Sequence, residues 1–222
     1  MGQANGAWRH GLHTKESVAE RRRLNDLVRE GLVRNLGASN FAAWQFAKAL
    51  GLAALHNWEP FISLQPTYSL ITRDFERELL PLCQEEGIAV IPYGPLAGGM
   101  LTGKYRADEE PAPDTRAGGE EAVRRGMAFR MTPQGYEIAS AVREIADELG
   151  RTPAQVALNW VLHRPTVTAP ILGARTVEQL LDNLDAVGWR LDERHDEQLT
   201  KISMIDLGYP LVLHQWMAQL GL

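Results

Sequence analysis

The chain has 222 residues, 45% hydrophobic and 23% charged, with 28 acidic against 23 basic side chains and a net charge of −5. That is enough for one globular domain with a buried core, and the acidic balance argues against a polyanion binder, so no nucleic-acid partner is expected. One cysteine, Cys83, excludes an internal disulfide framework and a cysteine-rich zinc site and suits a cytoplasmic address. No apolar run reaches bilayer-spanning length, and the start, MGQANGAWRHGLHTKES, lacks the apolar stretch of a secretory signal, so no membrane association is expected.

In chain order, residues 17–31 predict an amphipathic surface helix with Leu24, Leu27 and Val28 on one face and Gly31 as its stop. VRNLGAS (33–39) predicts a strand, and Asn40 is the candidate N-cap for a helix over FAAWQFAKALGLAAL. FISLQPTYS (61–69) predicts a second strand up to Pro66, RDFERELLPLCQEEG a helix ended by Gly87, and IAVIPYGPL (88–96) a third, almost wholly apolar strand. Residues 97–131 are rich in Gly, Pro and charge without an apolar period, and so predict a long functional or mobile loop. Helices follow in TPQGYEIASAVREIADELG and TPAQVALNWVLHR, each opened by a capping threonine, Thr132 and Thr152, and a proline. TVTAPILGA (166–174) predicts a fourth strand, TVEQLLDNLDAVG and LDERHDEQLTKIS the last helices, and the tail from Asp206 shows no period. Strand starts near 33, 61 and 88 are about 27–28 residues apart, close to the ~31 of a (β/α)8 barrel. A doubly wound dinucleotide fold should show G-x-G-x-x-G after a strand, and the sequence has none.

The chemistry-bearing residues gather at predicted strand ends. Ser39, Asn40, Gln65 and Tyr93 all fall at carboxyl ends, where barrels of this kind keep their sites; an Asn and a Gln can fix a carboxamide, and an aromatic face can stack on a planar ring. The bland alternative is that strand ends are simply polar and Tyr93 is core. GGMLTGKY (98–105) has the glycines and lysine of a phosphate-cradling loop, but Tyr105 replaces the small hydroxyl needed for Mg²⁺ and no helix pattern follows. In GARTVEQLLDN (173–183), Gly173 and Arg175 precede a helix that carries Gln179 and Asn183 one turn apart, an arrangement suited to an adenosine phosphate or to a solvated helix start. Cys83 reads as a small buried hydrophobe. His10 and His13 lie three apart without further ligands nearby, so no metal site is expected.

Taken together, LNDLVREGLVRNLGASNFAAWQ, SLQPTYSLITRDFERELLPLCQEEGIAVIPYGPLAGGMLTGKY and APILGARTVEQLLDNL resemble the aldo-keto reductase family, especially its long-loop bacterial reductases and the potassium-channel β subunits. The resemblance runs from about Leu24 to about Ser203, setting off a non-matching arm (1–23), a partial barrel (24–205) and a tail (206–222). It implies a (β/α)8 barrel that binds NADP(H) without a Rossmann domain and reduces a small-molecule carbonyl. By that similarity Ser39, Asn40 and Gln65 would hold the nicotinamide carboxamide and Tyr93 would stack on the ring. Gly94, Pro95, Leu96, Ala97 and Gly98 would line the pyrophosphate, with Lys104 and Arg116 closing over it. Gly173, Arg175, Gln179, Asp182 and Asn183 would take the adenosine end, Arg175 near a 2′-phosphate. Gly94 departs from a frequent serine, and Arg175 from a smaller polar residue.

The larger departure is catalytic. The family's Asp, Tyr, Lys and His are carried on its second to fourth strands, whereas the four strands predicted here correspond to its fifth through eighth. No catalytic residue is therefore assigned. The expectation is an incomplete barrel, inactive or weak alone, because carbonyl reduction needs a proton donor beside the oxygen. Four strands leave two open edges and an uncovered inner face, which favours self-association or a complementing N-terminal half. A non-enzymatic dinucleotide-binding or interaction module, and an interrupted gene with residues 1–23 out of frame, are the other readings.

Overall fold

The structure, a computed structural model, describes residues 15–118 and 126–220. His10, His13 and most of the expected N-terminal arm lie outside the described residues. The fold is α/β, with a three-stranded parallel sheet in the order β1 (Leu36–Ser39), β2 (Phe61–Gln65), β3 (Ala89–Val90). Helix α1 (Lys15–Arg29) leads into β1, and α2 (Ala43–His56) and α3 (Leu79–Glu85) follow β1 and β2. Beyond β3 come α4 (Pro133–Leu149), α5 (Pro153–Leu162), α6 (Val177–Leu184), α7 (Glu193–Ile202) and α8 (Leu211–Gln219).

The predicted fourth strand is reduced to two parallel bridges, Val90 with Val167 and Tyr93 with Ile171. Thr168 N–H donates to the Val90 carbonyl at 2.8 Å and Ile171 N–H to that of Pro92 at 2.7 Å. Between them stands Pro170, which has no N–H to give, so the ladder is interrupted where a regular strand would continue. Pro92 shortens β3 in the same way. The order β1–β2–β3–segment 167–171, all parallel, matches the sequence expectation even though one member is not a regular strand.

One face of the sheet is packed. Leu36 and Ala38 of β1, Phe61 and Leu64 of β2 and Val90 of β3 join Phe46, Val142, Ile145 and Trp160 from the helices in one core. The opposite face is uncovered: Gly37, Ser39, Ile62 and Gln65 are exposed. At Gly37 a Cβ would stand 2.6 Å from Ser63 Oγ, so a side chain there would require the Ser63 hydroxyl to swing away.

Four helix expectations are revised. In α1 the buried stripe is Arg21, Leu24, Asn25 and Val28, at i, i+3, i+4 and i+7, and Leu27 is left on the exposed side. Asn40 is not the cap of α2: it sits in the left-handed region at φ 57°, and the helix starts after Ala42, whose N–H donates to Gln45 Oε1 at 3.0 Å. The single helix expected over 73–87 is a 3₁₀ turn, Asp74–Glu76, followed by α3, because Pro81 is tolerated only in a first turn. The tail contains α8, whose Val212, Leu213 and Trp216 are exposed. Thr132 and Thr152 do cap α4 and α5, accepting from Gly135 N–H and Gln155 N–H, and Gly31 and Gly87 take positive φ just past α1 and α3. Among the described residues no helix is long and apolar enough to cross a membrane.

Helix α7 is fastened by a charge cluster that sets a pH dependence. Asp192 accepts from His195 N–H at 2.9 Å, and this backbone bond, with the facing His195 and Arg194, holds its carboxyl below the usual carboxylate range. Glu148 of α4 is lowered by side-chain contacts from His195, at 3.2 Å, and Arg194, at 2.6 Å. Both folded-state values lie below their unfolded ones, so the unfolded chain binds more protons as pH falls. Their contribution is complete above the ordinary carboxylate range and disappears as pH drops through it. The melting temperature is expected to fall between about pH 5 and pH 3, and the pair Glu148→Gln, Asp192→Asn to flatten that fall; an unchanged slope in the variant would reject these two groups as its source.

Candidate active site

The carboxyl ends of β1, β2 and β3 bring together residues far apart in sequence. The Ser39 hydroxyl donates to the Gln65 carbonyl at 2.9 Å, tying β1 to β2. The Tyr93 hydroxyl donates to Asn40 Oδ1 at 3.0 Å, across the sheet. The turn that removes Asn40 from the helix is what aims its amide at Tyr93, since a left-handed residue reverses the chain directly after β1. Ser39, Asn40 and Gln65 are exposed and the Tyr93 ring is half-buried, so a polar strip lies beside one aromatic face.

After Tyr93 the chain winds through positive φ at Gly94 (70°), Ala97 (50°), Gly98 (71°) and Gly99 (100°). A serine at Gly94 would have to adopt a conformation that costs L-residues about 1–2 kcal/mol. Ala97 N–H donates to the Gly94 carbonyl and Gly99 N–H to that of Leu96, both at 2.9 Å, so these two amides close the turn and do not face outward. Gly98 and Gly99 are packed over by side chains: a Cβ on Gly98 would stand 2.8 Å from Met127 Sδ, and one on Gly99 3.0 Å from Lys104 Nζ. Lys104 is thereby folded back over the glycine turn, its ammonium 5.2 Å from the Tyr105 ring centre. Pro95 and Ala97 are buried and Leu96 half-buried beneath it. Arg116 is exposed on the long loop, next to Ala117, whose N–H donates to the Tyr105 hydroxyl at 3.3 Å.

The bridge from Tyr93 to Ile171 sets Gly173 beside the same strand ends. Gly173, Arg175 and Gln179 are exposed, and Gln179 Oε1 accepts from Arg175 N–H at 2.9 Å, which holds the start of α6. Asp182 and Asn183 do not share that surface. Asp182 accepts from Thr152 Oγ1 at 3.0 Å and from Gln155 Nε2 at 2.8 Å, bracing α6 against the start of α5, while Asn183 is buried. Thr67, which sequence reading passed over, pairs with Tyr93 and lines a cleft of about 250 Å³ with Asn40, Phe41, Pro66 and Phe75. Its signal was its place two residues past Gln65 on a strand that Pro66 appeared to end.

The remaining reactive groups are held out of reach. Tyr68 is buried, donates to Glu76 at 2.6 Å and has its phenol pushed well above the ordinary range, first by burial and then by the Glu76 carboxylate. Tyr105 is buried as well. Burial pushes the Cys83 thiol up to about 11, so it is a packing residue. Among the described residues no three His, Cys, Asp or Glu side chains are grouped to hold a metal.

A parallel sheet with helices on its packed face and polar residues at its carboxyl ends is an α/β scaffold of the kind that gathers its site at the strand ends. The chain belongs to the aldo/keto reductase family, whose model matches residues 13–204, and whose fold is the (β/α)8 barrel. It is similar to the uncharacterized oxidoreductase YrpG of Bacillus subtilis, 39% identical over 75% of this chain and 48% of that protein. It is 35% identical to versiconal hemiacetal acetate reductase of Aspergillus parasiticus, over 77% and 48%, and 37% identical to the chloroplastic pyridoxal reductase of Arabidopsis thaliana, over 79% and 45%. The chain spans about half the length of the curated relatives it matches.

Proposed function

We propose that this chain is the cofactor-holding, C-terminal half of an NADP(H)-dependent carbonyl reductase of cytoplasmic type, and that it does not turn over a carbonyl substrate by itself. The observation that carries the reading is the convergence of Ser39, Asn40, Gln65 and Tyr93 at adjoining strand ends, with the positive-φ glycine turn directly beyond.

These residues fit a nicotinamide dinucleotide. Exposed hydroxyl and amide groups beside a half-buried ring suit a carboxamide on an aromatic platform. The positive-φ glycine turn, with the Lys104 ammonium folded over Gly99, suits a pyrophosphate. Gly94, Pro95, Leu96 and Ala97 would shape that turn, Arg116 would add charge from the loop, and Arg175 with Gly173 and Gln179 would meet the adenosine end. Asp182 and Asn183 act indirectly, by setting the position of α6. When bound, the cofactor supplies hydride. What this chain contributes is binding and orientation, because neither Tyr68 nor Tyr105 can hand a proton to a substrate oxygen from where it is buried.

NADPH is expected to quench tryptophan fluorescence saturably. Arg175→Ala is expected to weaken NADPH about tenfold while leaving NADH unchanged, as loss of a guanidinium–phosphate fork should. Equal affinities for both cofactors would remove the 2′-phosphate role. With NADPH and a broad aldehyde panel the purified chain is expected to show no carbonyl-dependent oxidation, and turnover of about 1 s⁻¹ or more would overturn the inactive reading.

A further inference from the structure

We infer that the cleft between the turns that follow β1 and β2 is a second binding site, and that it takes a small uncharged ring bearing a hydroxyl, a phenol. It is separate from the polar strip of the cofactor reading and does not depend on it.

The cleft, about 250 Å³, reaches Leu64 of β2 and is walled by Phe41, Phe75 and Leu79. Leu64 belongs to the core on the helix-covered face, whereas Gln65 is exposed, as successive strand residues point to opposite sides. The cleft therefore lies on the packed side, and neither Ser39 nor Gln65 lines it. Its frame is stiff. Ser69 Oγ accepts from Ile71 N–H at 3.2 Å and from Thr72 N–H at 3.1 Å, and Ser69 and Thr72 exchange two backbone bonds of 3.1 Å, which closes the turn at one side. Arg73 and Tyr68 both donate to Glu76, and the Tyr68 ring meets Phe75 edge-on at 5.3 Å, so the wall beyond that turn is held as well. A site built in advance spares its ligand part of the ordering cost of binding.

The polar groups of the cleft set the chemistry of its ligand. Thr67 and Thr72 line it half-buried, and neither hydroxyl has a hydrogen-bond partner among the described residues. Covering a hydroxyl without a partner costs free energy that a bound group can recover. A phenol hydroxyl both donates and accepts, and so matches a pair of threonines. Among the described residues Asp74 is the only charged group lining the cleft, and it already pairs with Arg77, so no net charge is left to attract an ion. Size agrees: a cavity of about 150 Å³ holds benzene, so one of about 250 Å³ admits a ring with a short substituent. Phe41 and Phe75 offer that ring aromatic walls. Asn40 is shared with the polar strip, but its carbonyl is engaged by Tyr93, and Thr67, Thr72, Phe75 and Leu79 have no part in the cofactor reading.

The test titrates the full 222-residue chain with phenol, followed by saturation-transfer NMR, with benzene and benzoate as comparison probes. Saturable phenol binding is expected, with benzene and benzoate each about tenfold weaker, as a lost hydrogen bond or an unmatched buried charge should bring. The pair Thr67→Val, Thr72→Val keeps the shape of the walls and removes both hydroxyls. It should bring phenol and benzene to equal affinity while the melting curve and the response to NADPH match those of the parent chain. Phenol binding that does not saturate, benzene or benzoate bound as tightly as phenol, phenol displaced by NADPH, or a phenol preference that survives in the folded valine pair would each overturn the inference. The three-probe comparison on the unaltered chain decides the matter even where the valine pair does not fold. A chain that binds phenol in this pattern and no NADPH would keep this site and reject the cofactor reading.

Discussion

Arg73→Ala is expected to lower the unfolding free energy by about 3–5 kcal/mol, the cost of breaking a buried ion pair from one side. Arg73 grips Glu76 with two bonds, Nε to Oε1 and Nη2 to Oε2, each 2.8 Å. Its third nitrogen donates to the Thr200 carbonyl and the Ser203 hydroxyl, each at 2.7 Å, so the turn after β2 is tied to the end of α7. The Trp160 ring is within cation–π distance of this guanidinium, 5.1 Å away, and of that of Arg164, 4.5 Å away. Removal would leave the Glu76 carboxylate without its cation, with the Tyr68 hydroxyl still donating to it, and would take the 2.7 Å donor from the Thr200 carbonyl. Lysine cannot reproduce the planar fork and is expected to recover only part of the loss. Urea unfolding measures it, and a loss under about 1 kcal/mol in alanine would show that water replaces the guanidinium.

Arg21→Leu is expected to act in the opposite direction, raising stability by about 1–4 kcal/mol, as replacing buried charge by well-packed apolar volume can. Arg21 is 0% exposed and donates to the Glu59 carbonyl, while its Nε and Nη1 have no partner among the described residues. Burial lowers its pKa, which registers the same desolvation. It occupies the inner stripe of α1, where Leu24 and Val28 pack and leucine would complete the pattern. Asn25 supplies the contrast on the same stripe. Its Oδ1 accepts from Glu59 N–H at 3.0 Å in a partly buried bond, so Asn25→Leu would remove that donor's partner and is expected to cost about 1 kcal/mol. Chemical unfolding of both variants separates the two cases: a destabilised Arg21→Leu would mean that the guanidinium is satisfied in solution.

Much of the fold and the candidate site was legible because its signals are local. Thr132-Pro133 and Thr152-Pro153 announce helix starts by a cap and a fixed φ, and the structure places α4 and α5 there. The parallel strand order followed from apolar runs separated by helix-length stretches, which allow few other connections. Ser39, Gln65 and Tyr93 could be gathered in advance because parallel strands end on the same side. What escaped depends on partners far along the chain. Asn40 reads as a cap by residue type, but its left-handed turn and its bond to Tyr93 exist only once β1 and β3 are in place. Asp182 and Asn183 share the local pattern of a binding helix, and only the packing of α6 on α5 turns them inward. Arg21 reads as one of three solvated arginines until α1 docks above Phe61.

The sequence by itself pointed to parallel βα units through its apolar runs and spacing, and, through its resemblance to the aldo-keto reductases, to the family and to the residues that assemble at the strand ends. These are properties of local chain stiffness, apolar period and turn chemistry, and each is written over a few neighbouring residues. Only the tertiary structure decided which polar groups face water, that Tyr68 is locked against Glu76, and that Asp182 braces α6 against α5. Those depend on distances between elements up to 130 residues apart, where burial and desolvation act on whichever side chains the packing happens to enclose.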